Sequence, residues 1–227
     1  MIRTSARSLA GSALFLAADV AWLGLARPAR PELLVPWFGL LLVVGAIVPG
    51  VANQVTLARA HLAAPALVYS VSPSTLLQLA AVVSLAGLSD LLDGAVARSL
   101  EQPSRLGGAL DPVVDGVFFG AVAIGLVVGA GYPRWLAAVV LVRYLLPALA
   151  GGLLLLAGRR PVLEHTPLGQ ASTALIAFLL GALALLRGLG WGGGSIVLLV
   201  SEVVIPLATV ATFANLLWAN RQALLGR

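Results

Sequence analysis

Cysteine and lysine are both absent from the 227 residues. Without cysteine there are no disulfides, no thiolate nucleophile and no cysteine-based zinc site. Charge of either sign is scarce. Only 10% of residues are charged against 60% hydrophobic, and mean hydropathy is +1.02. A soluble domain carries about 25% charged residues, so neither a soluble globular domain nor a disordered chain fits. Acids are scarcer than bases, nine against fourteen, and every base is arginine. A net charge of +5 and a pI near 11 would suggest nucleic acid in a soluble protein. Here the arginines sit at the ends of apolar runs, where they meet anionic lipid head groups and set topology. No nucleic-acid-binding motif is visible, and no nucleic-acid partner is expected.

What is present is apolar sequence in long pieces. Runs can be read at 9–26, 33–50, 54–71, 74–97, 107–130, 134–157, 168–187 and 195–218. A membrane-crossing helix needs about 20 apolar residues, so the expected class is an all-α polytopic integral membrane protein. Proline and glycine punctuate the breaks: Arg27-Pro28-Ala29-Arg30-Pro31, Ser72-Pro73, Gly131-Tyr132-Pro133 and Gly190-Trp191-Gly192. If all eight runs cross and the N-terminus is cytoplasmic, Arg3, Arg7, Arg59, Arg98, Arg105, Arg159, Arg160, Arg221 and Arg227 lie inside. Arg27, Arg30, Arg134 and Arg187 lie outside, and Arg143 falls within a helix. That asymmetry obeys the positive-inside rule. Tyr69, Tyr132, Trp135, Trp191 and Trp218 fall near run ends, as interfacial aromatics do. The first run could be read as a signal peptide. Asp19 within it and the second run close behind favour a retained helix.

The acids carry the chemistry. Four of the five aspartates fall between Asp90 and Asp115. Asp90 and Asp93 are spaced i,i+3, and Asp111 and Asp115 i,i+4, so each pair shares a helix face. The short polar connection at 98–106 brings the end of one helix and the start of the next to one membrane surface. Four carboxylates can converge there. An ionised Asp at the centre of a membrane helix costs about 2.5–3.5 kcal/mol, and four together repel. Something positive must fill the cluster. Oxygen-only ligands suit hard cations, and four carboxylates could hold two Mg²⁺ or Mn²⁺ ions. Paired metals activate oxygen nucleophiles and stabilise phosphoryl displacement. Gly94, Ala97, Gly107 and Gly108 leave room for a bulky group, and Arg98 could pair with a phosphate. The bland alternative makes the aspartates helix caps and Arg98–Glu101 a solvated surface pair.

The pattern D-x2-D-G-x2-A-R-x8-G-x3-D-x3-D is matched by Asp90, Asp93, Gly94, Ala97, Arg98, Gly107, Asp111 and Asp115. It resembles the signature of the CDP-alcohol phosphotransferases. Asn53-Gln54-Val55-Thr56-Leu57-Ala58-Arg59 is similar to the N-x2-T-x2-R segment that opens that family's core. The resemblance implies a six-helix core at 53–227 and an added membrane hairpin at 1–52. It implies transfer of a phosphatidyl group from CDP-diacylglycerol to an alcohol, with release of CMP. Asp90, Asp93, Asp111 and Asp115 would hold two divalent ions, and Asp115 would also be the general base. Asn53, Thr56, Asp93, Gly94, Ala97, Arg98 and Gly107 would line the nucleotide pocket. A homodimer in a bacterial inner membrane, with its site at the cytoplasmic face, completes the expectation.

For the acceptor, Arg143 lies inside an apolar run, where an arginine is costly. It could meet an anionic acceptor, snorkel, or pair with a helix carboxylate. Arg159 and Arg160 fall in a cytoplasmic connection. Pro167-Leu168-Gly169-Gln170-Ala171-Ser172-Thr173 resembles the P-x-G-K-x2-T segment of phosphatidylglycerophosphate and cardiolipin synthases, with Gln170 in place of the lysine. Tyr144 stands where an acid often follows the arginine. Gln170 and Tyr144 depart from that pattern; the rest of it favours glycerol 3-phosphate as acceptor, with phosphatidylglycerol, inositol phosphate or serine as alternatives. A different class, a divalent-cation transporter, would need acids spread through the membrane depth, and here they cluster. An inactive scaffold is disfavoured by the four intact aspartates. His61 and His165, the two histidines, are expected to pack rather than to catalyse.

Overall fold

The computed structural model describes residues 6–100, 105–156 and 166–221; within these, the side chains of 90–100 and 105–109, among others, are outside the description. Among the described residues there are eight α-helices and no strand: α1 (Ala6–Ala26), α2 (Val35–Ile47), α3 (Val51–Ser70), α4 (Leu76–Leu100), α5 (Arg105–Gly129), α6 (Arg134–Leu156), α7 (Pro167–Gly188) and α8 (Gly193–Ala219). Each apolar run of the sequence becomes one helix. The second run ends early, at Ile47, because Pro49 and a left-handed Gly50 (φ 100°) turn the chain into α3. Thr166 caps α7 by accepting a hydrogen bond from the Gly169 amide at 3.1 Å.

Side-chain contacts fix the helix directions. Gly11 meets Gln54, and Trp22 Nε1 donates to the Tyr69 hydroxyl at 2.9 Å, so α1 and α3 run parallel. Thr56 meets Asp111 low on the α3–α5 seam, and Ser70 meets Gly125 high on it, so these two are parallel as well. Gly116–Tyr144 and Gly120–Leu141 set α6 antiparallel to α5, and Gly181–Val83 and Gly188–Leu77 set α7 antiparallel to α4. These pairs have the alternating sense that up-and-down crossings require. Among the described residues, four helical segments are long and apolar enough to cross a membrane: Ser8–Ala26, Leu110–Gly129, Pro167–Gly188 and Gly193–Ala219. Leu14, Phe178, Leu199 and Val210 point outward from them, as lipid-facing residues do.

Helix α3 is the centre. It packs on α4 and α5 along one side and on the α1–α2 hairpin along the other, and it buries Asn53, Thr56, Arg59, His61 and Ser70. Polar side chains in hydrocarbon need internal partners, and wrapping supplies them. On the hairpin side, Asp19 lies 2.9 Å from His61 Nδ1. Phe15 stacks on the imidazole with centroids 4.6 Å apart, and Phe38 lies parallel to it. His61 is thus a packed histidine, as expected. Gln54 Nε2 donates to the Gly45 and Val48 carbonyls, and Trp37 Nε1 to the Ala60 carbonyl.

Two expectations change. Arg59 is not a cytoplasmic surface charge, because it is buried within the bundle; the positive-inside asymmetry survives its removal. Tyr132 faces protein and not lipid: it is buried at the α5–α6 turn, while Trp135, Trp191 and Trp218 are exposed. Burial, and behind it the Glu202 carboxylate, push the Tyr132 phenol well above its ordinary range.

Candidate active site

The site begins on the α3–α5 seam. Spacing places Asn53, Thr56 and Arg59 along one winding edge of α3, and Asp111 and Asp115 one turn apart on α5. Because the two helices run parallel, the rows meet rung by rung. Thr56 Oγ1 donates to Asp111 Oδ1 at 2.9 Å. Arg59 forms a buried ion pair with Asp115. Both members of that pair are nearly inaccessible, at 2% and 4% side-chain exposure. Asn53 Nδ2 donates to the Pro49 carbonyl at 2.6 Å, which anchors the start of α3. Pro112 lacks an amide hydrogen, so the α5 ladder misses a bond beside the aspartates.

Helix α4 supplies the other half of the motif. Asp90, Asp93, Gly94, Ala97 and Arg98 lie on its second half, and Gly107 on the first turn of α5. Their side chains lie outside the described residues. Arg159, Arg160 and His165 lie wholly outside them. Gln170 is exposed on the first turn of α7.

The polar row continues across the bundle. Gly116, next to Asp115, lets the Tyr144 β-carbon of α6 come close. Arg143, on the same turn, is 4% exposed. Its terminal nitrogens donate to the Ser172 and Thr212 hydroxyls and, at 3.3–3.4 Å, to the Gly169 and Ala208 carbonyls and the Thr173 hydroxyl. Its burial excludes snorkelling, and among the described residues it pairs with no carboxylate: every one of these partners is neutral. The sequence reading did not single out Arg59 as the mate of Asp115, nor Ser172, Thr173 and Thr212 as the Arg143 cage. Motif membership marks Arg59. Nothing in the periodicity marks the hydroxyls, two of which also donate to their own helix, Thr212 to the Ala208 carbonyl and Ser172 to the Gly169 carbonyl.

The two described carboxylates are of the donor type a hard divalent cation takes, though among the described residues no third acid or imidazole joins them. Asp111 and Asp115 offer oxygen only, share one face of α5, and sit among a hydroxyl and a guanidinium rather than sulfur or imidazole. A carboxylate has about four lone-pair positions, so one hydrogen bond from Thr56 leaves Asp111 capacity for a metal.

Comparison with known proteins adds the following. The sequence model of the CDP-alcohol phosphatidyltransferases matches residues 50–214, which covers α3 to α7 and most of α8. A cardiolipin synthase (CMP-forming) of Streptomyces coelicolor is 36% identical over 110 residues, 48% of this chain and 51% of that protein. A putative cardiolipin synthase of Mycobacterium tuberculosis is 38% identical over 109 residues, 48% of this chain and 50% of that protein. A probable cardiolipin synthase (CMP-forming) of Drosophila melanogaster is 34% identical over 92 residues, 40% of this chain and 28% of that protein. The matched stretch thus spans about half the length of the two bacterial relatives.

Proposed function

This chain belongs to the CDP-alcohol phosphatidyltransferase family, and from that premise we propose that it transfers a phosphatidyl group from CDP-diacylglycerol to an alcohol and releases CMP. The observation that carries the reading is the α3–α5 seam. Thr56 and Arg59 of one motif meet Asp111 and Asp115 of the other, although 55 and 56 residues separate them in sequence.

The roles are those the family motif implies for these positions, and the chemistry of the residues agrees with them. Asp90, Asp93, Asp111 and Asp115 would hold two Mg²⁺ or Mn²⁺ ions. Held by these residues, the ions would supply charge neutralisation at the diphosphate and a more electrophilic phosphorus. Asn53, Thr56, Asp93, Gly94, Ala97, Arg98 and Gly107 would receive the nucleotide. Asp115 accepts the proton of the acceptor hydroxyl. The alcohol oxygen bonds to the phosphatidyl phosphorus while the bond to CMP breaks, and CMP leaves with the electron pair. The chain's work is orientation and charge placement.

The acceptor proposed is phosphatidylglycerol, in place of the glycerol 3-phosphate that the sequence favoured. Relatives named cardiolipin synthase support this, and so does Gln170, which lacks the charge a phosphomonoester would use. Arg143, Arg159, Arg160 and Gln170 form the acceptor side. Residues 1–52 form a hairpin that shields α3, and 53–227 form the catalytic core. The protein is an integral membrane protein; its site is placed at the cytoplasmic face of a bacterial inner membrane, in a homodimer. The test is product identification by mass spectrometry after incubation with CDP-diacylglycerol, Mg²⁺ and one acceptor at a time. Cardiolipin formed with phosphatidylglycerol alone supports the reading. Phosphatidylglycerophosphate formed from glycerol 3-phosphate would restore the first expectation.

A further inference from the structure

Resting on that reading, we propose that Tyr144 is an acceptor-binding residue whose hydroxyl, with the Nε–H of Arg143, binds a phosphate oxygen of the lipid acceptor.

Tyr144 is fixed from several sides. Its ring stacks on Phe119 with centroids 5.5 Å apart and planes 14° from parallel. The Arg143 guanidinium lies 5.5 Å from its ring centroid. A methyl group on Gly116 would come within 3.0 Å of its β-carbon, so the tyrosine is pressed against the residue that follows Asp115. It is also within electrostatic reach of Asp115 itself.

Its polar end is incomplete. The hydroxyl is buried with the Arg143 and Thr173 side chains within reach, but neither is placed for a hydrogen bond of normal geometry. The Nε–H of Arg143 is likewise buried and without a partner. Leaving a buried donor unsatisfied is costly, and more so for a charged group. Two such donors on consecutive residues of α6, one of them cationic and caged only by neutral groups, call for an anionic oxygen. A phosphodiester supplies one.

The route to them is apolar. A groove of about 290 Å³ runs between α5 and α6, lined by Pro112, Gly116, Gly120, Leu141 and Leu145, with Tyr144 in its wall. Val113, Ile124 and Leu145 open it to the outer, lipid-facing surface. A diacyl acceptor can lay a chain there and bring its head group to Tyr144. Glycerol 3-phosphate has no chain to place in it.

Tyr144→Phe tests this in the full chain purified in detergent. The ring contacts remain and only the hydroxyl goes. The expected result is a rise of about tenfold in the KM for phosphatidylglycerol, the equivalent of about 1.4 kcal/mol. The KM for CDP-diacylglycerol and the thermal midpoint stay unchanged. Tyr132→Phe is the control: it removes a second buried hydroxyl that lacks a partner, at the far end of α6, and should change neither KM. A rise in the donor KM instead would assign the hydroxyl to the donor diphosphate and overturn the proposal. So would an unchanged acceptor KM, or a lowered midpoint that reveals a structural partner. A binding readout separates this proposal from the function it rests on. Phosphatidylglycerol, compared with phosphatidylcholine, should raise the thermal midpoint of the wild type and should not raise that of Tyr144→Phe. That difference can appear even if no CMP is released; its absence in the wild type overturns the proposal.

Discussion

Asp111 and Asp115 look equivalent in sequence and are not equivalent in structure. Asp111 is half-buried and takes a hydrogen bond from a neutral hydroxyl. Asp115 is buried and carries the charge that balances Arg59. Removing one member of a buried ion pair costs about 3–5 kcal/mol. Asp115→Asn should therefore lower thermal stability by an amount of that order as well as abolish turnover, and unfolding in detergent will show it. Adding Arg59→Gln should recover part of the stability and none of the activity. A wild-type midpoint for Asp115→Asn would contradict the pairing. In Asp111→Asn the Thr56 hydroxyl can still donate to the amide oxygen, so the fold is spared and turnover alone should fall. The sequence made all four aspartates legible through their spacing. It did not make this division legible, because a motif states which residues recur and not which neighbour holds each charge.

Helix α3 is the element on which the architecture turns. Its seam with α5 is close at the end away from the aspartates, where a β-carbon on Gly125 would overlap the Ser70 side chain. Gly125→Leu should push the helices apart and lower stability by about 1–3 kcal/mol or more. The same substitution at Gly39, which has open space around it, should be close to neutral. On the other side of α3, the Asp19–His61 pair ties down the hairpin. Asp19→Leu alone leaves the histidine unmatched and should destabilise. Asp19→Leu with His61→Phe should recover that loss, since apolar replacement of a buried polar pair is often neutral or better. Stability at the single-mutant level in the double variant would show that the pair holds α1 in a way packing cannot replace. The eight helices were legible because proline and glycine interrupt the apolar runs. The attachment of α1 was not. Asp19 reads as an interruption until its mate, 42 residues away, is known.

At the scale of the molecule, one polar layer crosses an apolar bundle. It passes from Arg59 on α3 through Asp115 on α5 to Tyr144 and Arg143 on α6. Ser172 and Thr173 on α7 and Thr212 on α8 complete it. In hydrocarbon such a layer is stable only if its groups satisfy one another or a ligand. On α6, beside the aspartates, the Arg143 Nε–H and the Tyr144 hydroxyl are among the buried polar groups left without a hydrogen bond. The matched family region begins at residue 50, just before α3, so the layer lies within it and the hairpin covers it from outside. Sequence gave the composition of this layer only in part, since serine and threonine carry no periodic signal in membrane helices. CMP release from CDP-diacylglycerol by the purified chain, measured with phosphatidylglycerol in the presence and absence of divalent cation, tests the account most directly. Release with Mg²⁺ or Mn²⁺, a fall to background on chelation, and loss in a stably folded Asp111→Asn variant are predicted. Release that persists under chelation, or at the wild-type rate in Asp111→Asn, would contradict it.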